Sequence, residues 1–275
     1  MKINYHLNLL LYPALQVSCF VLAAYFVKTN LLYTGLFIFL AAFFMSFSLH
    51  ISYHHHVHFK PQSKTLNRLV DFLISLVLGL PFHFYKLQHL NHHKYNNEVE
   101  DMTSTYIIKD DKTVAKAFIP YVFFWFLNIG GFKKQKEKAI KDRYFTPKDH
   151  KKMIAEGLLN ILFIMVLFYI NWTYGILFGV MFYLGWSMIA LHNYGQHLPG
   201  KQHQIAYSYY GKFYNRIFMN NGLHYEHHIY PGLEYWDLKE DALPERTNKK
   251  SHLLDGFRFA FSRRQAEITT TKKRI

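Results

Sequence analysis

Two copies of the pattern H-x-x-H-H hold the densest groups of imidazole in this sequence. They read HLNHH, at His89, His92 and His93, and HYEHH, at His224, His227 and His228. On a helix, residues three and four positions apart share one face, so each copy can aim three ring nitrogens at one point. Neutral imidazole is a common ligand of iron, copper, zinc and nickel ions. Each copy therefore indicates a metal-binding segment.

Two further histidine boxes extend the set of candidate ligands. The stretch HISYHHHVH covers residues 50–58, and HNYGQH covers residues 192–197. His50 and His54 are four positions apart, but His55, His56 and His58 leave the choice of ligands in the first box open. The four boxes together offer more imidazoles than one ion needs, so we predict two ions.

The chain lacks the side chains of two competing kinds of metal site. Closed zinc sites often use cysteine thiolates, but the single cysteine, Cys19, lies in an apolar run. One cysteine also excludes an intrachain disulfide. Ferritin-like di-iron proteins use Glu-x-x-His pairs on bundle helices, and the sequence contains no such pair. The predicted site is therefore dominated by histidine.

Long uncharged runs must position these boxes. Residues 3–27, 29–49 and 157–191 contain no Asp, Glu, Lys or Arg, and a membrane helix needs about 20 apolar residues. The runs predict an integral membrane protein with spans at Leu7–Val27, Leu31–Leu49, Met153–Ile170 and Tyr174–Leu191. Two weaker apolar stretches, Leu69–Tyr85 and Ala117–Phe132, are predicted as helices in the membrane interface.

Positive charge orients the predicted spans. Four spans place both termini, every long loop and all four histidine boxes on one face, together with every lysine and arginine except Lys28. The positive-inside rule makes this face cytoplasmic. The fold class predicted is an all-α integral membrane protein, with four transmembrane helices and a cytoplasmic helical cap that holds a His-rich di-metal site. We predict a single domain over 1–275, with a polar basic tail from about 246.

The order of the boxes resembles the membrane fatty acid desaturase superfamily, which also contains lipid hydroxylases. The order is H-x-x-x-H-H, H-x-x-H-H, N-x-x-x-H, H-x-x-H-H. The stretch HISYHHHVHFKPQSKTLNRLVDFLISLVLGLPFHFYKLQHLNHHKYNN resembles the first half of an acyl-lipid desaturase, and LHYEHHIYPGLEYWDL resembles its last box. The resemblance implies a site for two iron ions (Fe2+/Fe3+), with O2 as co-substrate.

The resemblance also implies roles for individual residues. The implied iron ligands are His50, His54 or His55, His89, His92, His93, His197, His224, His227 and His228, and Asn193 matches a position that holds a metal-bound water. His192 has no counterpart and is expected to support a ligand. The four histidines outside the boxes, His83, His150, His203 and His252, are expected to be ordinary polar residues.

Three carboxylates are candidates for holding a ligand imidazole in one tautomer. They are Asp101, Glu226 and Asp237, and for each the alternative is an acid in a solvated loop.

These features favour a fatty acyl desaturase that acts on a long acyl chain of a lipid or acyl carrier. The alternative is a related di-iron lipid oxygenase: an acyl or sterol-like hydroxylase, a carotenoid ketolase or hydroxylase, or an oxidative decarboxylase. A transporter or a non-catalytic metal-binding protein should carry polar groups at mid-span, and the runs 3–27 and 29–49 hold no ionisable group there.

The basic charge is assigned to the membrane surface, and no nucleic acid partner is predicted. The sequence has no flavin or dinucleotide fingerprint, so electrons are expected from a separate ferredoxin or cytochrome b5-like carrier and its reductase. A short chain of this kind favours a bacterial plasma membrane over the endoplasmic reticulum.

Overall fold

The computed structural model describes residues 5–59, 63–98, 100–109, 112–126, 132–199, 205–240 and 249–261. Helices and a single hairpin make up its regular structure. The helices are α1 (Tyr5–Phe26), α2 (Leu31–Phe47), α3 (His54–His58), α4 (Lys64–Leu78), α5 (Phe82–Tyr95), α6 (Phe118–Phe123), α7 (Phe132–Lys141), α8 (Pro147–Ile170), α9 (Trp172–Gln196), α10 (Lys212–Ile217), α11 (His224–Ile229) and α12 (His252–Phe261). The strands β1 (Tyr106–Lys109) and β2 (Lys112–Ala115) form an antiparallel hairpin in the described part of the chain.

In the described part of the chain, four helical segments are long and apolar enough to cross a membrane: Leu9–Phe26, Leu31–His58, Pro147–Ile170 and Trp172–Gln196. Their outward side chains are apolar, as the 64% exposure of Leu158 and the 62% exposure of Met165 on α8 show. A soluble helix would bury such a surface, whereas lipid solvates it. The prediction of a four-span integral membrane protein is confirmed.

The spans run further than the uncharged stretches. The second continues past Leu49 through a π-helical segment, Ser48–Tyr53, into α3, so the first histidine box lies on an extension of the span helix. The third segment begins earlier than predicted because Thr146 and Asp149 form a capping box at the start of α8. Charged residues thus occupy the first turns of a membrane helix.

The single helix predicted at Leu69–Tyr85 is instead two helices, α4 and α5, bent by 91°. Gly79 ends α4 in the left-handed conformation, with a φ of 66°, and Pro81 follows. The second box is carried by α5. The predicted helix at Ala117–Phe132 is also shorter, since α6 ends at Phe123 and residues 127–131 lie outside the described part.

The chain divides into two compact units. The span unit comprises 2–87 and 133–189, and its core includes Cys19, Ala42 and Met181. The cluster unit comprises 88–132 and 190–275, and its core is built around Phe118, Tyr121, Val122, Leu191 and Tyr194. The single domain predicted over 1–275 stays a prediction.

Part of the predicted polar tail is a packed helix. Leu253, Phe259 and Ala260 of α12 pack on the core of the cluster unit, because apolar residues recur at helical spacing there. A Cβ on Gly195 would overlap the carbonyl oxygen of His252, so α12 begins in direct contact with α9. Residues 246–248 and 262–275 of the predicted tail lie outside the described part.

Candidate metal centre

Four buried histidines of the cluster unit form one group. They come from three places in the chain: His92 from α5, His197 just after α9, and His224 and His228 from α11. One ring nitrogen from each lies within 4.8 Å of the others. Residues four apart share a helix face, which brings His224 and His228 together. This arrangement, called here the four-histidine group, can hold a metal ion.

Hydrogen bonds fix the tautomer of three rings in this group. His92 Nδ1–H donates to Asp101 Oδ2 at 2.6 Å, and His228 Nδ1–H donates to Asn96 Oδ1 at 2.9 Å. His197 Nδ1–H donates to the Ile205 carbonyl at 2.7 Å. Carboxylate, amide and carbonyl oxygens accept only, so Nδ1 carries the proton and each Nε2 keeps its lone pair.

The Nε2 lone pairs of His197 and His228 both face His224, whose ring can donate to one of them at most. His224 Nε2 lies 3.0 Å from His197 Nε2 and 3.2 Å from His228 Nε2. His92 Nε2 is buried and has no hydrogen-bond partner among the described residues. Facing lone pairs repel one another unless a cation lies between them. The group therefore fits a transition-metal ion, which neutral imidazole nitrogens prefer.

Electrostatics keep the rings neutral, as metal binding requires. Burial, reinforced by neighbouring imidazoles, holds the pKa of His197, His224 and His228 well below its ordinary value. Burial alone would raise the pKa of Asp101, but His92 and the bonds from Thr103 hold that pKa well below its usual range. Asp101 is therefore an anion that accepts the hydrogen bond from His92 Nδ1–H.

A second group lies in the same unit. His89 and His93 of α5 and His227 of α11 each offer a ring nitrogen within 4.8 Å of the others, and His227 Nε2 lies 2.9 Å from His93 Nε2. We call it the three-histidine group. The spacing predicted that each H-x-x-H-H copy aims three ring nitrogens at one point. The structure instead divides the histidines of each copy between the two groups. The i and i+4 residues share a group, whereas the i+3 residue joins the other.

The division follows from helix geometry. At 3.6 residues per turn, residues i and i+4 differ by about 40° in direction, whereas i and i+3 differ by about 60° in the opposite sense. On α5, His92 joins the four-histidine group, whereas His89 and His93 join the three-histidine group. On α11, His227 joins the three-histidine group, whereas the other two histidines join the four-histidine group. Each helix thus supplies both groups.

The first box lies in the span unit, where its five histidines have different surroundings. His54 and His58 offer ring nitrogens within 4.8 Å of each other. His50 Nε2 contacts the Ile189 carbonyl at 3.4 Å, and the ring of His55 stacks on Phe59. His56 Nε2–H donates to Asp71 at 3.0 Å. The pairing of His54 with His58 was not anticipated, and the ligand roles of His50, His54 and His55 stay predictions.

The remaining predicted site residues lie outside these groups. Asn193 Nδ2 donates to the Tyr121 hydroxyl and the Thr103 carbonyl. His192 is buried, and its Nε2 lies 3.1 Å from the Tyr214 hydroxyl oxygen and 3.1 Å from Asn221 Nδ2. Their predicted roles stay predictions.

Among the three candidate carboxylates, Asp101 accepts a hydrogen bond from His92 of the four-histidine group. Glu226 is buried and accepts from the hydroxyls of Ser208 and Tyr210. Asp237 is exposed. The predicted roles of all three carboxylates stay predictions.

Sequence reasoning missed several supporting residues. Asn96 and Asn97 end α5 with φ values of 45° and 66°, a conformation that asparagine tolerates. Asn96 Oδ1 accepts the hydrogen bond from His228 Nδ1–H. Asn97 Oδ1 accepts from Thr105 N–H at 2.8 Å, which fixes the loop that carries Asp101. The asparagine pair directly after the second box was the available signal.

The histidines outside the boxes also have defined places. His252 is fully buried and its Nε2–H donates to the Tyr207 carbonyl at 3.0 Å. His150 Nε2 lies 3.2 Å from Lys136 Nζ, and His203 lies outside the described residues. His83 is fully buried among carboxylates.

Replacement of Asp101 by asparagine is expected to weaken metal binding by roughly 10- to 100-fold, as loss of a partner of a ligand imidazole typically does. The amide can present an N–H where His92 Nδ1 needs an acceptor. Metal retained during dialysis against a chelator measures the effect. Asp237→Asn, at an exposed carboxylate, is the matched control and should retain metal as the unmodified protein does. Equal retention by both variants would contradict the role given to Asp101.

The chain is thus a four-span membrane protein whose described residues include grouped histidines that could bind metal. The family model described as fatty acid desaturase matches residues 28–251. The chain belongs to the fatty acid desaturase family, and the resemblance noted in its sequence is confirmed. No individual curated protein matches the chain.

Proposed function

We propose that this chain is a non-haem di-iron oxidoreductase that uses O2 to introduce a double bond into a long acyl chain. Membership of the fatty acid desaturase family supports an oxidoreductase of this type. The observation that carries the proposal is the division of the histidines into two groups supplied by the same two helices. Two adjacent groups of neutral nitrogen donors suit a pair of iron ions better than one closed ion site.

The residues that would hold iron are the seven histidines of the four-histidine and three-histidine groups. We propose that ligands from the first box complete the set, as the family resemblance implies. When bound, the iron pair supplies the capacity to activate O2 for removing hydrogen from an unactivated C–H bond. The protein supplies neutral ligands, fixed tautomers and a dry environment.

Specific residues hold the imidazoles in one tautomer. Three rings donate their Nδ1–H groups to Asp101, Asn96 and the Ile205 carbonyl. The four-histidine group is buried throughout, which excludes water that would compete for the ligand positions. Fixed imidazoles cost little reorganisation when an ion binds, so the site is organised in advance.

The proposed substrate is a long acyl chain carried by a lipid or an acyl carrier, because the enzyme is embedded in the membrane that contains such chains. We propose that the face carrying nearly all of the lysine and arginine residues is cytoplasmic, by the positive-inside rule. The same charge favours docking of an acidic ferredoxin or cytochrome b5-like electron carrier. The bacterial plasma membrane is the proposed location.

The test is a lipid profile of cells that express the chain, compared with cells that express His227→Ala. Acyl chains lighter by two hydrogens, seen only with the unmodified protein, are the expected result. Lipids that gain oxygen or lose the carboxyl carbon would replace desaturation with the related oxygenase chemistry. Identical profiles in both cultures, with the electron carrier supplied, would contradict catalysis.

A further inference from the structure

The span unit contains a network of buried charged side chains that neither histidine group uses. Its members are His56, Asp71, His83, Asp149 and Glu156, with Lys86 and Lys152 beside them. His56 and His83 are fully buried, and Glu156 is 1% exposed. A buried charge is costly unless it is paired and hydrogen-bonded. A network of this size among membrane helices therefore calls for a specific role.

The first part of the network caps α5. The first N–H groups of a helix have no partner within it, and the side chain of Pro81, just before α5, cannot accept a hydrogen bond. Phe82 N–H donates instead to Ser75 Oγ on α4 at 2.8 Å, and His83 N–H donates to Glu156 Oε2 on α8 at 2.9 Å. The start of α5 is thus held by two other helices.

Side chains of α5 add further contacts to α8. His83 Nδ1–H donates to Glu156 Oε1 at 2.6 Å, and His83 Nε2 lies 3.4 Å from Asp149 Oδ1. One turn further on, Lys86 Nζ lies 3.2 Å from the same oxygen of Asp149. The Asp149 carboxylate is itself fixed by Thr146. These contacts restrict both rotation and sliding of α5 against α8.

Asp71 links the network to the helix of the first box. Its Oδ1 accepts from His56 at 3.0 Å, and its Oδ2 lies 4.0 Å from His83 Nε2. His56 belongs to the same short helix as His54 and His58. One buried carboxylate of α4 therefore lies between the helix of the first box and the start of α5.

We propose that Glu156, His83 and Asp71 are positioning residues of the metal centre, which act by fixing the helix that carries His89, His92 and His93. This inference rests on the metal site of the proposed function. His89 lies about 9 Å along the helix from His83, at about 1.5 Å per residue. A rotation of α5 by about 20° would move a nitrogen about 6 Å from the axis by roughly 2 Å. Metal–ligand distances tolerate about 0.2 Å, so the rotation must be held closely.

The test compares metal release from purified, detergent-solubilised Glu156→Gln and unmodified protein, each loaded with cobalt. Glutamine keeps the shape of the side chain but places an amide N–H against one of the two donors of His83. We expect about 10-fold faster transfer of cobalt to a chelator, together with shifted visible absorption bands that report altered ligand geometry. His83→Asn, which keeps a donor near Nδ1, should release cobalt more slowly than His83→Leu.

Gln16→Met is the matched control for structural damage. Gln16 is buried in the same unit and its Nε2 donates to the Val77 carbonyl of α4 at 2.7 Å. Its loss should lower the unfolding temperature without changing cobalt release or the absorption bands. If Glu156→Gln and both His83 variants also change only the unfolding temperature, the network is structural and the inference is wrong. An unmodified protein that binds neither cobalt nor iron would contradict the proposed function as well.

Discussion

Replacement of His92 by alanine is expected to remove iron and turnover together while membrane insertion stays intact. His92 is one of the four histidines of its group, and its buried Nε2 has no hydrogen-bond partner among the described residues. Loss of the partner of a ligand imidazole already costs roughly 10- to 100-fold, so loss of a ligand should lower turnover by about 100-fold or more. Iron per chain and acyl-chain desaturation in isolated membranes measure the two effects.

Alanine replacements at two other histidines test whether the loss of turnover is specific to the histidine groups. His227→Ala removes a member of the three-histidine group and should also abolish turnover, since the proposed chemistry needs both ions. His150→Ala is the matched control, because His150 lies outside the boxes and contacts Lys136. Full turnover with two irons in the His92 or His227 variant would refute the assignment of these residues to the iron site.

Removal of metal is expected to lower the unfolding temperature by several degrees. An ion that binds only the folded state stabilises it by about 2.7 kcal/mol at 100 times its dissociation constant. Its removal also leaves the Nε2 lone pairs of His197 and His228 both facing His224 Nε2, which can donate a hydrogen bond to one of them at most. Thermal unfolding of the detergent-solubilised protein, measured before and after chelation under nitrogen, shows the effect.

Adding different metal ions back after chelation tests which kind of ion the histidine groups bind. Fe2+ or Co2+ should restore the original unfolding temperature, whereas Mg2+ should not, because Mg2+ prefers oxygen ligands. His92→Ala should respond much less to added metal, since its four-histidine group lacks one ligand. An unfolding temperature that is unchanged by chelation and by every added ion would show that the histidine groups hold no stabilising metal.

The membrane architecture could be predicted from sequence because it depends on composition along one stretch at a time. Uncharged runs of sufficient length define spans whatever they contact. The ends of the spans were harder to predict from the sequence. The second span continues through Ser48–Tyr53 to His58, and nothing local distinguishes a span that stops from one that extends into a polar region.

The candidate ligands could be named from spacing, but their grouping could not. Positions three and four apart on α5 and α11 place imidazoles on one broad face. Whether His92 joins His89 or His224 depends on how the two helices face each other. That angle is set by long-range packing, which the spacing within either helix does not encode.

Supporting residues varied in how well sequence could reveal them. Asp101 was named because a carboxylate close to a ligand box is a frequent partner of imidazole. The Ile205 carbonyl could not be named, because every residue has a carbonyl. Glu156, separated from His83 by 73 positions, lies at the edge of an uncharged run and carries no local signal of this contact. His83 was assigned an ordinary polar role for the same reason.

The most direct test of this account is the number of iron ions per chain in protein purified without chelators, measured by mass spectrometry together with its Mössbauer spectrum. The account predicts two irons per chain in nitrogen-rich, high-spin environments. A chain that instead holds one tightly bound zinc ion, or no transition metal after growth in iron-replete medium, would contradict it.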